Sequence, residues 1–189
     1  MPLSSHLFSD PVAVYAARGA IGLLFAMAAV SKARNFSIFR ATLLDYELVP
    51  KPMLGVVATM VLGLEIGIAV LVWLPSFAPI AMLAAATLLL TYASAIGINL
   101  LRGRRDIDCG CTGPAVRQSL SAWLILRNLG LASVAVIGIN LPAARALQLV
   151  DIIVAVVVVM VSSIIYAAAN QLMANSPRLD ALDGLMETN

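Results

Sequence analysis

Charged residues are scarce in this chain: only 12% of its 189 residues are Asp, Glu, Lys or Arg. Because a typical soluble domain carries about 25% charged residues, the composition excludes an ordinary soluble protein. Hydrophobic residues make up 61% of the chain, and the mean hydropathy is +0.98. The net charge of +2 is small and no basic run is interleaved with aromatics, so we expect no nucleic-acid partner. The sequence predicts a protein whose surroundings are the lipid bilayer.

Alternation of apolar and polar residues with a period of two is also absent, which excludes a transmembrane β-barrel. A helix needs about 20 mostly apolar residues to cross a bilayer core of ~30 Å. Five stretches meet this requirement, namely residues 12–30, 54–74, 77–101, 120–141 and 147–169. The predicted fold is an all-α integral membrane protein with about five helices in an antiparallel bundle. It forms one domain, residues 1–169, followed by a polar tail, residues 170–189.

Basic residues are missing from residues 1–11, so the first stretch lacks the charged start of a signal peptide. We therefore expect it to be a retained span. Short, proline-containing connections join the second span to the third and the fourth to the fifth, which makes those neighbours antiparallel. The longer connections, residues 31–53 and 102–119, then lie at one membrane surface together with the tail.

Residues 31–53 carry apolar side chains at helical spacing, which predicts a short amphipathic helix along the interface. Val49 precedes Pro50, and a residue before proline disfavours helix, so we expect the helix to end there. The segment is either a roof over residues 102–119 or an ordinary connector. The apolar positions are Phe36, Phe39, Leu43 and Leu44.

Cysteine and histidine are nearly absent, with two and one in the whole chain. Both cysteines lie in the sequence Asp108-Cys109-Gly110-Cys111, within the second long connection. A Cys-Gly-Cys disulfide closes a small, strained ring that is readily reduced, and glycine permits the backbone angles it needs. Cys109 and Cys111 are therefore candidate redox residues, with inert thiols as the alternative. Structural zinc takes four ligands and His6 lies toward the other surface, so we predict no metal and no cofactor.

The residues around the pair favour a thiolate. Gly113-Pro114 is typical of a helix start, so Cys111 is predicted to precede the fourth helix, whose positive end stabilises a thiolate. Nearby arginines act in the same direction, whereas Asp106 and Asp108 oppose it.

Four charged residues fall within the apolar stretches. Glu65 lies at the middle of the second span and Arg127 lies within the fourth, while Arg18 and Asp151 are close enough to helix ends to extend outward. Burying a charge costs several kcal/mol unless it is paired, so we predict a structural Glu65–Arg127 or Glu65–Arg18 pair. Alternatively, Glu65 lines a small-molecule pocket or relays a proton.

The sequence resembles the methylamine utilisation protein MauE family. The resemblance rests on the cysteine motif ahead of Trp123 and Arg127-Asn128, and on Arg18 followed by Ser31 and Lys32. The latter features are shared with DoxX-like membrane proteins. The resemblance implies a bacterial inner-membrane protein that helps methylamine dehydrogenase to mature, through processing, transport or disulfide formation of its small (beta) subunit. It also implies a MauD-like, thioredoxin-like periplasmic partner.

The expected bundle is also similar to vitamin K epoxide reductase-like and DsbB-like four-helix bundles, with one helix added. Those proteins have a second cysteine pair, which this chain lacks, so partner cysteines must come from another protein. The resemblance therefore implies a thiol–disulfide oxidoreductase acting with a partner. The alternatives are a non-catalytic assembly or export factor, and a small-molecule carrier using Glu65 and Arg127.

Two arguments from the sequence predict opposite membrane orientations. Nine basic residues belong to the surface with the cysteine pair, against Arg145 on the other, so the positive-inside rule makes the pair cytoplasmic. Stable disulfide chemistry belongs to oxidising compartments, and the family resemblance also indicates the periplasm. We adopt the periplasmic orientation. The nine are Lys32, Arg34, Arg40, Lys51, Arg102, Arg104, Arg105, Arg117 and Arg178.

Overall fold

The structure is a computed structural model and describes residues 10–104, 107, 120–143, 145 and 147–186. These residues form six α-helices and one 3-10 turn, with no β-strand among them. The α-helices are α1 (Pro11–Arg34), α2 (Phe36–Asp45), α3 (Leu54–Leu71), α4 (Ala78–Leu101), α5 (Ala122–Ile139) and α6 (Leu149–Met186), and the 3-10 turn is Lys51–Met53.

Five of the helices are long and apolar enough to cross a membrane: α1, α3 (with the preceding 3-10 turn), α4, α5 and α6. The prediction of a multi-pass helical membrane protein is confirmed. Helix α6 continues to Met186, so that it runs through most of the segment predicted as a polar tail.

Helix starts follow local chemistry. Asp10 accepts a hydrogen bond from the backbone nitrogen of Val12 at 2.8 Å, and Pro11 fills the first turn of α1, where no intrahelical donor is needed.

Helix α5 begins at Ala122 with Ser121 as its N-cap. The prediction that the fourth spanning helix begins at Gly113-Pro114 is therefore wrong, and Cys111 does not directly precede that helix in the chain.

Close approaches show where neighbouring helices pack, and the first of them shows that α4 and α5 run antiparallel. A Cβ atom at Gly138, near the end of α5, would overlap Met82 near the start of α4. A Cβ atom at Gly22 in α1 would lie 2.8 Å from Val72, just after α3. Because glycine adds no side chain, side chains of the neighbouring helices pack directly against its backbone at both points, and small residues at such contacts are common between membrane helices.

Helix α6 lies at the edge of the bundle. It packs along α1, where the Cβ position of Gly19 is 3.3 Å from Val159. Cavities of about 470 and 300 Å³ flank this contact. No residue in the most apolar 18-residue stretch of α6 is buried. The core is therefore formed mainly by α1, α3, α4 and α5.

The connection before α6 is fixed by Arg145, which donates two hydrogen bonds to the carboxylate of Asp151 at 2.9 and 3.0 Å. The hydrogen bond to Asp151 raises the pKa of the Arg145 guanidinium above its ordinary value. Asp10, next to α1, lies 3.6 Å from the same guanidinium. These charges hold the starts of α1 and α6 together at one surface of the bundle.

Candidate functional site

The two long connections emerge at the same end of the bundle. The predicted site residues Asp108, Cys109, Gly110 and Cys111 lie outside the described residues. The structure does describe the residues that flank them, through residue 104, at residue 107 and from residue 120.

Both flanks contact the segment that follows α2. Arg104 forms a two-pronged ion pair with the carboxylate of Glu47, with N–O distances of 3.0 and 2.9 Å. Tyr46 is buried with Leu120 in a small apolar cluster, and Ile107 packs against that cluster. The described flanks of the cysteine connection (residues 102–119) thus both contact neighbouring residues of the interfacial segment (residues 31–53).

Helix α2 forms where the sequence predicted an amphipathic helix, but it differs in detail. It ends at Asp45 rather than at Val49, and Glu47 then takes a positive φ of 50°. Its inward face carries Phe39 and Thr42, both buried, whereas Leu44 is exposed. The predicted apolar face was therefore slightly rotated from the observed one.

Glu65 is the centre of a buried polar network. Its Oε1 accepts hydrogen bonds from Lys32 Nζ at 2.5 Å and from the Tyr92 hydroxyl at 2.8 Å. The Lys32 ammonium also lies 5.2 Å from the Phe39 ring centroid and 5.4 Å from that of Tyr92, within the range of cation–π attraction. Helices α1, α2, α3 and α4 thus meet around one charge pair.

The expected pairing of Glu65 with Arg127 or Arg18 is therefore wrong, because Lys32 is the partner. Lys32 was missed because it follows the predicted first span, residues 12–30, whereas α1 continues to Arg34. Only the helical extension and the fold place it beside Glu65. The side chains of Lys32 and Glu65 are 8% and 1% exposed, so this is a buried ion pair, whose formation carries a large desolvation cost.

Arg18 is buried and does not extend toward water, contrary to the prediction. Its Nε and Nη2 donate to the carbonyl oxygens of Gly138 and Asn140, at 3.0 and 3.1 Å. These are among the last carbonyls of α5, which lack partners within the helix. A cation is favourable there because it faces the negative end of the helix dipole. Arg18 consequently joins α1 to the end of α5.

Arg127 joins α5 to the peripheral helix α6. Its Nη1 donates to Asn170 Oδ1 at 3.2 Å, and its guanidinium carbon lies 5.9 Å from the Tyr166 ring centroid. Its Nε is buried and has no hydrogen-bond partner among the described residues. Glu65 and Arg127 thus belong to two separate networks, and the structure does not bring them together as a carrier site.

A cavity of about 230 Å³ lies beneath α2, beside the Lys32–Glu65 pair. Its wall includes Lys32 of α1, Phe39 of α2, and residues of α3 and α4. Periodicity alone does not locate this cavity, because its walls come from four helices and the chain after α2.

Comparisons with known proteins agree with the features that the sequence suggested. The family model described as "Methylamine utilisation protein MauE" matches residues 10–141. This range includes α1 to α5, the cysteine pair and the Lys32–Glu65–Tyr92 network. No solved structure matches this chain.

Three curated relatives share the name "Methylamine utilization protein MauE". The protein of Paracoccus denitrificans is 38% identical over 143 residues, which cover 75% of this chain and 77% of the relative. That of Methylorubrum extorquens is 36% identical over 126 residues, covering 67% and 68%. That of Methylophilus methylotrophus is 30% identical over 173 residues, covering 90% of each chain. With this similarity along most of its length, the chain belongs to the methylamine utilisation protein MauE family.

Proposed function

We propose that this protein supports maturation of methylamine dehydrogenase by thiol–disulfide exchange between Cys109, Cys111 and a thioredoxin-like partner. The observation that carries the proposal is the attachment of both flanks of the cysteine connection to the interfacial segment, through Arg104–Glu47 and through Tyr46. Such attachment favours a defined exchange site over a free loop. Membership of the MauE family supports the link to methylamine utilisation.

The proposed chemistry follows the ordinary route of disulfide exchange. The Cys111 thiolate attacks a disulfide of the partner, so that a mixed disulfide forms and one partner sulfur leaves as a thiolate. Cys109 then attacks Cys111, closes the Cys109–Cys111 disulfide and releases the partner as a dithiol. Two electrons pass to the partner, whose thiolates take up two protons.

The chain contains no further cysteines, so a second dithiol, supplied by another protein, must return the pair to its reduced form. The reverse sequence of steps oxidises a reduced partner. We place the pair on the periplasmic side of the inner membrane, where the small subunit of methylamine dehydrogenase is the proposed client. Oxidising surroundings there support disulfide chemistry.

Serine substitutions test the role of the pair. We expect Cys109→Ser and Cys111→Ser each to abolish methylamine dehydrogenase activity, while the amount of the membrane protein stays normal on immunoblots. Ser119→Ala, in the same connection, serves as the control and should retain activity. Full activity of the Cys109→Ser/Cys111→Ser double variant would exclude the exchange mechanism and favour a non-catalytic assembly or export role.

Single serine variants also show which of the two cysteines attacks the partner. Cys109→Ser leaves Cys111 able to attack but removes the resolving thiol, so a mixed disulfide with the partner should accumulate on non-reducing gels. Cys111→Ser should trap none. The opposite pattern would assign the attacking role to Cys109.

A further inference from the structure

We propose that the cavity beneath α2 binds the polar end of a neutral molecule that partitions into the bilayer, through a ketone or ester carbonyl that accepts a hydrogen bond from Lys32. This proposal does not depend on the function proposed above. The proposal rests on the location of the cavity, its remaining hydrogen-bond donors and its charge.

The location of the cavity indicates that its ligand comes from the membrane. Val61 of α3 and Thr91 of α4 both line the cavity, and Thr91 is exposed on the outer surface of α4. Lys32 lines the cavity and is buried. Pockets for whole ligands usually measure about 300–1,000 Å³, so 230 Å³ suits one end of a molecule whose remainder lies among the lipids.

The hydrogen-bond donors of the wall are mostly engaged within the protein. Thr42 Oγ1 donates to the Ile38 carbonyl at 3.2 Å, and Thr91 Oγ1 donates to the Thr87 carbonyl at 2.9 Å. Tyr92 donates its only hydroxyl proton to Glu65. A lysine ammonium has three donors, of which the pair with Glu65 uses one. Lys32 therefore supplies the donor, and the ligand must present an acceptor.

The charge of the site favours a neutral ligand. The Glu65 Oε1 lies 2.5 Å from Lys32 Nζ, so the carboxylate neutralises the charge of the ammonium group. The second carboxylate oxygen, Oε2, is buried with no hydrogen-bond partner in the described part of the chain. An anion at Lys32 would be repelled by this carboxylate, whereas a carbonyl oxygen adds no net charge. The remaining walls, which include Phe39 and Leu88, are largely apolar and suit a hydrocarbon body.

Binding to the full-length protein in nanodiscs tests the proposal, with two neutral probes measured by calorimetry. Ubiquinone-1 presents ring ketones and monoolein presents an acyl ester, so the two distinguish the source of the carbonyl. We expect saturable binding of at least one. Thr91→Phe, which blocks the mouth of the cavity, should weaken that binding about tenfold or more. Thr87→Phe, one turn earlier on the exposed side of α4, is the matched control and should change it less than twofold.

A second variant removes the donor without leaving a buried charge unpaired. Lys32→Met/Glu65→Gln is neutral and similar in volume, and it should weaken binding about tenfold, the effect of losing one hydrogen bond of roughly 1.4 kcal/mol. Cys109→Ser/Cys111→Ser should bind normally, so failure of the exchange mechanism leaves this result unaffected. The proposal would be overturned by non-saturable uptake of both probes, or if Thr91→Phe and the Lys32 variant bound the probe as tightly as the unmodified protein does.

Discussion

At the scale of single residues, the chain buries opposite charges and a hydroxyl group inside the bundle. Each hydrogen bond among them therefore contributes strongly to the stability of the protein. Glu65 is fully buried and accepts from both Lys32 and Tyr92. Hydrogen bonds to a charged group contribute about 1.5–3 kcal/mol, more than neutral ones. Removing one donor should therefore have a measurable effect even if the ion pair stays intact.

We expect Tyr92→Phe to lower the free energy of unfolding by about 1.5–3 kcal/mol, because it removes the hydroxyl that donates to Glu65 and keeps the ring. Thermal or denaturant unfolding in detergent measures this change. Tyr15→Phe is the control, since Tyr15 is 43% exposed and belongs to a different part of the bundle, away from Glu65. Equal stability of the two variants would show that the Tyr92 hydroxyl does not stabilise Glu65.

The sequence identified Glu65 and Arg127 as charged residues within the spans but did not identify their partners, and the burial of Arg18 was not predicted. A charged residue within a span needs a partner because burying an unpaired charge is costly. This need can be predicted from the residue type and its position in an apolar stretch. Which residue meets Glu65 depends on how far α1 extends and how it packs against α3 and α4. Lys32 was therefore assigned to the surface on sequence grounds, although it is buried.

At the scale of helices, some glycines lie where a neighbouring span packs against them and others do not. Gly138 and Gly130 lie in the same helix, but their surroundings differ. Met82 occupies the space beside Gly138, whereas no atom of the described residues lies within 4 Å of a Cβ at Gly130. Met82 is fully buried in the core, so it has little room to move.

We expect Gly138→Ala to destabilise the protein by about 1–3 kcal/mol through overpacking of the α4–α5 contact. Gly130→Ala should be neutral or stabilising by up to about 1 kcal/mol, since alanine is the better helix former. Unfolding midpoints of both variants in the same detergent provide the comparison. Similar destabilisation by both would contradict the close contact at Gly138.

The type and approximate position of the helices were predictable because a long apolar run in a membrane protein almost always forms a spanning helix. Helix ends were less predictable. The start of α5 at Ala122 rather than at Gly113-Pro114 shows that a local capping pattern does not determine where a spanning helix begins.

At the scale of the whole molecule, the antiparallel order of the spans gathers both long connections at one surface. The short α3–α4 turn, with Ser76, lies at the other. Chain order alone dictates this division once five spans are accepted. It does not dictate which surface faces the periplasm, because the basic residues and the proposed disulfide chemistry favour opposite answers.

For the proposed periplasmic orientation, we expect a membrane-impermeant maleimide to label Cys109 or Cys111 in intact cells after mild reduction. The reference is Ser76→Cys in a Cys109→Ser/Cys111→Ser background, which should react only after lysis, because it lies at the opposite surface. Labelling of the Ser76→Cys protein in intact cells, with protection of the native pair, would place the pair in the cytoplasm instead.

The sequence by itself determined the class of the protein and its candidate redox residues. The thickness of the bilayer sets the length of apolar sequence that one spanning helix needs, so the number of such stretches predicts the number of helices. Both cysteines lie in one short motif, so few thiol reactions other than those of this pair are available. Tertiary structure decided the partners: Lys32 for Glu65, the α5 carbonyls for Arg18, and Tyr46 and Glu47 for the flanks of the cysteine connection. These contacts join residues far apart in the chain, and only helix packing, not periodicity, brings such residues within bonding distance.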